Sequence, residues 1–263
     1  MEQPVVALTV AGSDSGGGAG VQADLKAFAM CGVFGASVFT ALTAQNTMGV
    51  KGIHAVPRDF VAAQLDAVLA DLPVGAVKTG MLASASTVEL VAEYAPRLPN
   101  LVVDPVLVAS SGDRLFTDSV EQAYLTALFP HAAVITPNMR EASVLTGREV
   151  STVDDMRAAA ERLGETGAKC VVVKGGHLSD SSAVDVVWRD GTVDLVEAPW
   201  VETRNNHGTG CTFAAVTAAR LARGADPKSA IFGAKAYVHE AIRASADWRL
   251  GGGHGPLGWK PMP

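Results

Sequence analysis

A seven-residue segment, Asn206 to Thr212, combines the residue types that can stabilise a developing negative charge. Its two glycines precede a long apolar stretch that predicts a helix, and backbone N–H groups at a helix N-terminus attract anions. Cys211 lies in the first turn of this helix, where the same positive field is expected to lower the pKa of its thiol. The segment therefore predicts an anion site beside a thiol that takes a proton from an attacking hydroxyl or aligns it. A plain helix start with a small buried cysteine is the structural alternative.

A hydrolytic role for the same cysteine fits the sequence less well. A nucleophile elbow needs glycines two residues before and after the nucleophile, and Thr209 and Phe213 occupy those positions. A catalytic pair of Cys211 with His207 is close in sequence, but two residues so near each other rarely face correctly. A cysteine hydrolase therefore remains a minor alternative.

A glycine-rich loop, residues 12–20, follows the first predicted strand. It matches neither common phosphate-binding template, because the first lysine after the glycines is Lys26 and because Val21 stands where a third glycine is needed. The loop still permits close approach of a ligand to the backbone, and Asp14 or Asp24 could hydrogen-bond that ligand. A flexible turn between strand and helix is the alternative.

Polar residues end or follow five of the predicted strands, at the sheet edge where α/β proteins bind ligands. They are Asp14, Lys78, Asp104, Asn138, Glu141 and Lys174. On a helix, Asn138 and Glu141 would share one face and could hold Mg²⁺ through its waters, although an ordinary capping arrangement has the same spacing. Lys174 could reach a phosphate or could be a solvated loop lysine.

The elements that must position these residues alternate between strand and helix. Apolar, β-branched runs predict strands at 5–10, 33–44, 75–78, 101–104, 133–136 and 170–174, and a hairpin at 184–188 and 193–197. Helical spacing predicts helices at 21–30, 57–72, 84–94, 120–128, 153–163, 212–223 and 227–246. This order predicts a mainly parallel sheet covered by helices on both faces. With no linker or repeat, residues 1–263 are expected to form one domain.

The composition excludes several classes of protein. With 48% hydrophobic and 18% charged residues, the chain is too apolar to be intrinsically disordered. Its net charge of −6 and its lack of a basic cluster argue against nucleic-acid binding. The three cysteines lack paired spacing and favour a reducing compartment over disulfides or zinc. Residues 27–50 are uncharged but too polar to span a membrane, and no signal peptide is recognisable, so a cytoplasmic protein is expected.

Seven motifs occur in order from residue 11 onward. They are AGSDSGGGAGVQAD at 11–24, TALTAQNT at 40–47, KTGML at 78–82, DPV at 104–106, TPN at 136–138 with Glu141, VKGGH at 173–177 and HGTGCT at 207–212. Together they resemble the hydroxymethylpyrimidine/phosphomethylpyrimidine kinases of thiamin biosynthesis, a branch of the ribokinase-like superfamily. The resemblance implies an α/β fold, a ribokinase-like three-layer αβα sandwich, with ATP and Mg²⁺ as cofactors and a homodimer. It also implies two successive phosphorylations, first of 4-amino-5-hydroxymethyl-2-methylpyrimidine and then of its monophosphate.

The resemblance also implies roles for individual residues. Gly12, Asp24, Gln45, Met81 and Val108 match the pyrimidine pocket, and Cys211 with Gly208, Thr209 and Gly210 matches the catalytic position and the anion site. Asp104, Lys174 and Lys235 match positions near the nucleotide and its phosphates, and Asn138 and Glu141 match the metal region, where the ion is held through water. No role is carried onto residues 258–263, because Gly258 and Trp259 replace the family's more usual Asn-His.

Two other functions remain open from the sequence. A pyridoxal or pyridoxine kinase of the same cysteine-bearing branch would share most of these motifs. A nucleotide-binding regulator without turnover would share the fold, although the presence of Asp104, Glu141, Lys174 and Cys211 argues against it.

Overall fold

The computed structural model describes residues 3–107, 120–176 and 182–262. Within these residues, eight strands form one sheet in the order β10-β9-β8-β7-β6-β5-β1-β2. The strands of this sheet are β1 (Val6–Ala11), β2 (Phe34–Phe39), β5 (Val74–Thr79), β6 (Leu101–Val103), β7 (Val134–Ile135), β8 (Cys170–Gly175), β9 (Ser182–Arg189) and β10 (Thr192–Pro199). Neighbours from β2 to β8 are parallel, whereas β9 and β10 form the predicted antiparallel hairpin.

Helices cover both faces of the sheet. They are α1 (Gly20–Met30), α2 (Arg58–Asp71), α3 (Ala85–Tyr94), α4 (Val120–Ala123), α5 (Met139–Thr146), α6 (Val153–Gly164), α7 (Thr209–Ala222) and α8 (Pro227–Ser245). The chain continues from α4 as a π-helical turn, Tyr124–Leu128, and a 3₁₀ turn, Phe129–His131.

Alternate side chains of each central strand enter different cores. In β1, Leu8 and Val10 join a cluster with α2, α3 and α6, whereas Ala7 joins a second cluster with α1, α7 and α8. In β8, Val171 and Val172 divide between the same two clusters. A strand buried on both faces has no polar side, which explains the continuous apolar runs in the sequence. The predicted three-layer αβα sandwich with a mainly parallel sheet is confirmed.

One strand prediction was wrong. Residues 33–44 form two strands, because β2 ends at Phe39 and β3 (Ala41–Asn46) leaves the main sheet to pair with β4 (Gly49–Ala55). The chain bends at Thr40, whose buried hydroxyl donates to the carbonyl of Met81 at 2.5 Å. The sequence did not indicate β4, because this mostly exposed strand contains glycine and lysine, which are uncommon in strands.

The uncharged residues 27–50 divide among α1, β2, β3 and the start of β4. Among the described residues, no helix has the length and apolar character needed to cross a bilayer.

Candidate active site

A cavity of about 860 Å³ lies at the carboxyl-end edge of the parallel strands. Residues that end or follow β1, β5, β6, β7 and β8 line it, together with the start of α7. The carboxyl ends of the parallel strands all lie at this edge, which is where ligands bind in sheets of this kind. The cavity therefore brings together most of the residues that the sequence singled out.

The start of α7 forms one wall of the cavity. The helix begins at Thr209, three residues before the predicted start, and Gly208 precedes it with φ +84°. A Cβ at Gly208 would collide with the carbonyl oxygen of Gly18, so this position needs glycine for both its conformation and its close contact. The Thr212 N–H donates to the carbonyl of Gly208, and the Thr209 N–H donates to the carbonyl of Asn206 at 3.3 Å, which leaves the N–H groups of Gly210 and Cys211 at the open end of the helix.

Cys211 lies in this first turn, but its thiol is not acidified. Burial, the largest cause, raises its pKa to about 11, and the nearby charges of Asp24 and Asp104 raise it further. The charge of Lys78 and a hydrogen bond from the N–H of Gly20 lower the pKa by less. The prediction of a lowered thiol pKa was therefore wrong, because desolvation outweighs the field of the helix end. At neutral pH the thiol keeps its proton.

Asp24 is not among the residues that line the cavity, and the substrate role that the resemblance implies for it stays a prediction. Its side chain is fully buried, and both carboxylate oxygens bond to Lys78 Nζ at 2.8 and 2.9 Å. The Thr9 hydroxyl donates to the same carboxylate at 2.6 Å. Burial alone would lower the pKa of Lys78, and the charge of Asp24 more than reverses this. The two side chains therefore form a buried ion pair, in which Lys78 reaches the cavity and Asp24 supports it.

The glycine-rich loop is organised by Asp14. Its carboxylate accepts hydrogen bonds from the N–H groups of Gly16, Gly18 and Ala19 at 2.8 to 3.0 Å, and lies 2.9 Å from His207 Nε2. Burial alone would raise the pKa of Asp14, but these hydrogen bonds more than offset it and lower the pKa. Asp14 therefore holds the loop in place, and it also lines the cavity. Because His207 pairs with Asp14, the structure gives no support to a hydrolytic pair of His207 with Cys211.

Asp104 and Lys174 form an ion pair in the cavity, beside the start of α7. Lys174 Nζ lies 2.9 Å from Asp104 Oδ1, which also accepts a hydrogen bond from Thr136 at 3.0 Å. A Cβ at Gly210 would lie 3.0 Å from Lys174 Nζ, so the ammonium group closely approaches the start of α7. The Lys174 ammonium group and the N-terminal end of α7, which are both expected to contact phosphate oxygens, are thus adjacent.

Asn138 and Glu141 form a capping box at the start of α5. The Glu141 N–H donates to the Asn138 side chain at 2.9 Å, and the Asn138 N–H donates to Glu141 Oε2 at 2.8 Å. The capping alternative is therefore correct, yet both residues also line the cavity. Capping the helix does not prevent Glu141 from holding Mg²⁺ through water, because a carboxylate has more than one lone pair.

The acidic residues fit a water-held Mg²⁺ better than a direct metal site. Within the described part of the chain, no group of three or more His, Cys, Asp or Glu side chains is arranged to hold a metal ion. Asp104 and Glu141 do place two carboxylates on the cavity wall. Mg²⁺ usually keeps several waters and binds through one or two carboxylates and the phosphates of a substrate, so these two residues suit it.

The remaining predicted residues lie at the two ends of the cavity. Gly12, Gln45 and Met81 line one end, where a Cβ at Gly12 would come within 2.5 Å of Met81 Cε. Lys235 lines the other end and pairs with Asp185 at 2.8 Å. Val108 lies outside the described residues.

Sequence reasoning missed Asp185, which holds Lys235 and accepts a hydrogen bond from the Gly175 N–H at 3.1 Å. A carboxylate within the valine-rich strand β9 was the available signal, because a charge in a buried strand needs a partner.

Glu141 makes the stability of the protein depend on pH. Burial, the largest cause, raises its pKa from 4.5 to about 7, Asp104 adds to this, and Lys174 opposes it. Between these pH values the folded protein binds a proton that the unfolded chain has lost, so stability falls as pH rises from 4.5 to about 7. We expect Glu141→Gln to lack this contribution. Urea unfolding of both proteins from pH 4.5 to 8 measures this difference. A free energy of unfolding that changes equally with pH in the variant and the wild type would contradict the prediction.

Comparison with known proteins gives the same family as the motifs. The sequence profile described as phosphomethylpyrimidine kinase matches residues 14–258. The hydroxymethylpyrimidine/phosphomethylpyrimidine kinase of Rhizobium meliloti is 48% identical over 254 residues, covering 96% of each chain. The thiamine biosynthesis bifunctional protein ThiED of Geobacter sulfurreducens is 50% identical over 95% of this chain, which spans 51% of that longer protein.

Solved structures of two kinds of vitamin kinase share the fold. An ADP complex of Bacillus subtilis pyridoxal kinase superposes with a TM-score of 0.91 at 38% identity, covering 98% of each chain. Phosphomethylpyrimidine kinase from Clostridium difficile has a TM-score of 0.79 at 38% identity, covering 90% of this chain and 99% of that one. From the profile match, the relatives and the shared fold, this chain belongs to the phosphomethylpyrimidine kinase family.

Proposed function

We propose that the protein transfers phosphate from ATP to 4-amino-5-hydroxymethyl-2-methylpyrimidine and then to its monophosphate, forming the diphosphate used in thiamin biosynthesis. The observation that carries this proposal is the meeting of the α7 start, Cys211 and the Lys174–Asp104 pair in one cavity. Open helix N–H groups and a lysine are suited to the charge of a phosphoryl group in transfer. The names of relatives that cover nearly the whole chain support the choice of substrate.

The phosphates would lie between the start of α7 and Lys174. The ammonium group of Lys174 and the N–H groups of Gly210 and Cys211 neutralise the charge that spreads over the phosphoryl oxygens. Mg²⁺, held through water by Asp104 and Glu141, would supply further positive charge to the phosphates. Phosphoryl transfer needs little covalent chemistry from the protein, so placement of these groups accounts for most of the catalysis.

Cys211 would direct the attacking hydroxyl group. Because its thiol keeps a proton at neutral pH, the sulfur acts first as a hydrogen-bonding partner that aligns the hydroxyl. The buried cation of Lys78 is the main group that favours the thiolate, and only this form, which has already lost its own proton, can accept the proton of the attacking hydroxyl.

Replacing Cys211 with alanine is expected to lower kcat at least about tenfold, because the hydroxyl loses its aligning partner. The KM for ATP should change less than about twofold, since the sulfur is not assigned to the nucleotide. Steady-state kinetics measure both quantities. Cys31→Ala is the matched control, because Cys31 is a buried cysteine that does not line the cavity. An unchanged kcat for Cys211→Ala would remove its catalytic role.

Pyridoxal kinase is the second candidate function. Solved pyridoxal kinases from two bacteria superpose with TM-scores of 0.91 and 0.89. Incubation with ATP, Mg²⁺ and either the hydroxymethylpyrimidine or pyridoxal, followed by mass spectrometry, identifies the substrate and counts the phosphates added. A higher kcat/KM for pyridoxal would overturn the main proposal. Lack of ADP release with either alcohol would favour a regulator without turnover.

We also propose a homodimer in the cytoplasm. The exposed apolar side chains of Leu42, Met48 and Ile53 on the β3–β4 hairpin, with Phe60 on α2, support a protein contact. The three free cysteines suit a reducing compartment. Light scattering after gel filtration tests the dimer, which should have twice the mass of one chain. The single domain expected over residues 1–263 stays a prediction.

A further inference from the structure

Residues 253–259, which we name the C-terminal strap, pack against three segments that border the cavity. The His254 N–H donates to the carbonyl of Thr47 at 3.1 Å, at the turn between β3 and β4. The Gly255 carbonyl accepts from the N–H of His207 at 3.0 Å. The strap therefore joins the hairpin turn to the segment that leads into α7.

Trp259, at the end of the strap, contacts the first turn of α7 directly. Its indole Nε1–H donates to the hydroxyl of Thr212 at 3.2 Å. Thr212 is fully buried and follows Cys211 in the chain. A buried hydroxyl keeps its hydrogen bonds because leaving it unpaired is costly, so this contact fixes the helix start relative to the strap.

Lys26 connects the same tryptophan to the glycine-rich loop. Its ammonium group lies 4.6 Å from the centre of the Trp259 ring and donates to the Gly17 carbonyl at 2.6 Å. A cation over the face of an indole ring is attracted to it. One lysine thus holds both the strap and the loop.

The glycine-rich loop and the start of α7 must keep their relative positions for the site to form. The two segments lie against each other, because a Cβ at Gly208 would collide with the carbonyl oxygen of Gly18. The Asp14–His207 pair joins the two segments at the cavity wall, at 2.9 Å. Lys26, Trp259 and Thr212 form a second connection, separate from that pair.

We propose that Trp259 is a positioning residue, which with Lys26 fixes the start of α7 against the glycine-rich loop and so places Cys211 and the open N–H groups. The effect on turnover rests on the proposed function. The effect on the thiol does not, because it can be measured without any substrate.

Trp259→Phe is the first test, because it keeps an aromatic ring and removes the N–H donor. We expect kcat to fall about fivefold, with the KM for ATP within about twofold. The rate of alkylation of Cys211 by iodoacetamide, followed by peptide mass spectrometry, should rise at least about threefold as the turn loosens. Trp248→Phe is the matched control, because that side chain is 48% exposed and lies outside the cavity lining.

Three further variants distinguish positioning from general stability. Thr212→Val removes the hydroxyl of α7 that accepts the Trp259 hydrogen bond. It should reproduce both the fall in kcat and the faster alkylation of Cys211 expected with Trp259→Phe. Lys26→Met should weaken turnover in the same way, whereas Lys26→Arg should restore it, since a guanidinium group keeps both the donor and the cation.

The proposal is overturned if Trp259→Phe matches Trp248→Phe in both kcat and alkylation rate, or if Lys26→Arg is as impaired as Lys26→Met. Should Trp259→Phe not fold, Thr212→Val and the Lys26 pair decide the question in the same assays. A wild-type protein that phosphorylates neither alcohol would refute the proposed function, while the alkylation comparison would still test the strap.

Discussion

Replacing Gly210 with valine is expected to lower turnover at least about 100-fold, equivalent to about 2.7 kcal/mol of activation free energy. A Cβ at this position would lie 3.0 Å from Lys174 Nζ and 3.7 Å from Asp104 Oδ2, and the two methyl groups of valine extend further. The side chain would therefore occupy the space between the helix start and the lysine, where phosphoryl oxygens are expected. Steady-state turnover with ATP and the pyrimidine measures the loss.

The fold should survive this change. Gly210 lies inside α7, and valine is a better helix former than glycine. Circular dichroism and thermal unfolding should therefore match the wild type. Ala67→Val, on the exposed face of α2, introduces the same side chain away from the cavity and should leave turnover unchanged. Turnover of Gly210→Val within about tenfold of the wild type would refute the anion site at this helix end.

Replacing Lys174 with methionine is expected to lower kcat/KM about 100- to 1000-fold, the range for removing one preorganised charge partner. Burial would lower the pKa of Lys174, but Asp104 and Glu141 more than reverse this, so the ammonium group stays charged at neutral pH. Methionine has a similar length and no charge. The variant would leave the phosphates without their lysine and Asp104 without its cation.

A surface ion pair provides the control for this experiment. Lys228 pairs with Asp194 at 2.9 Å, nearly the same distance as the Lys174–Asp104 pair, but its side chain is far more exposed. Exposed pairs contribute little, so Lys228→Met should leave kcat/KM and stability nearly unchanged. If Lys174→Met retains more than a tenth of the wild-type kcat/KM, the phosphates do not depend on this lysine.

The layered fold could be predicted because its cause is visible in the sequence. Residues 5–8 and 170–173 are apolar at every position, as expected of strands covered on both faces. The hairpin formed by β3 and β4 could not, because its strands are half exposed and one of them contains glycines. The start of α7 was placed three residues late, because glycine is a weak helix former and Gly210 nevertheless lies in the first turn.

The positions of the site residues followed from the strand ends, but their chemical states did not. The thiol of Cys211 was expected to have a lowered pKa, whereas burial raises it. Desolvation depends on how many distant segments cover a side chain, and local spacing does not record that number. Trp259 shows the same limit, because its contact with Thr212 joins positions 47 residues apart.

The arrangement of the strap also has a consequence for synthesis of the protein. Gly17 and Lys26 lie near the start of the chain, whereas Trp259 follows them by more than 230 residues. Parallel strands and helices can begin to assemble while translation continues, since domains fold progressively as the chain emerges. The cavity is therefore completed only when the C-terminal strap leaves the ribosome. Nascent chains that end before Trp259 would have the sheet but not the complete catalytic centre.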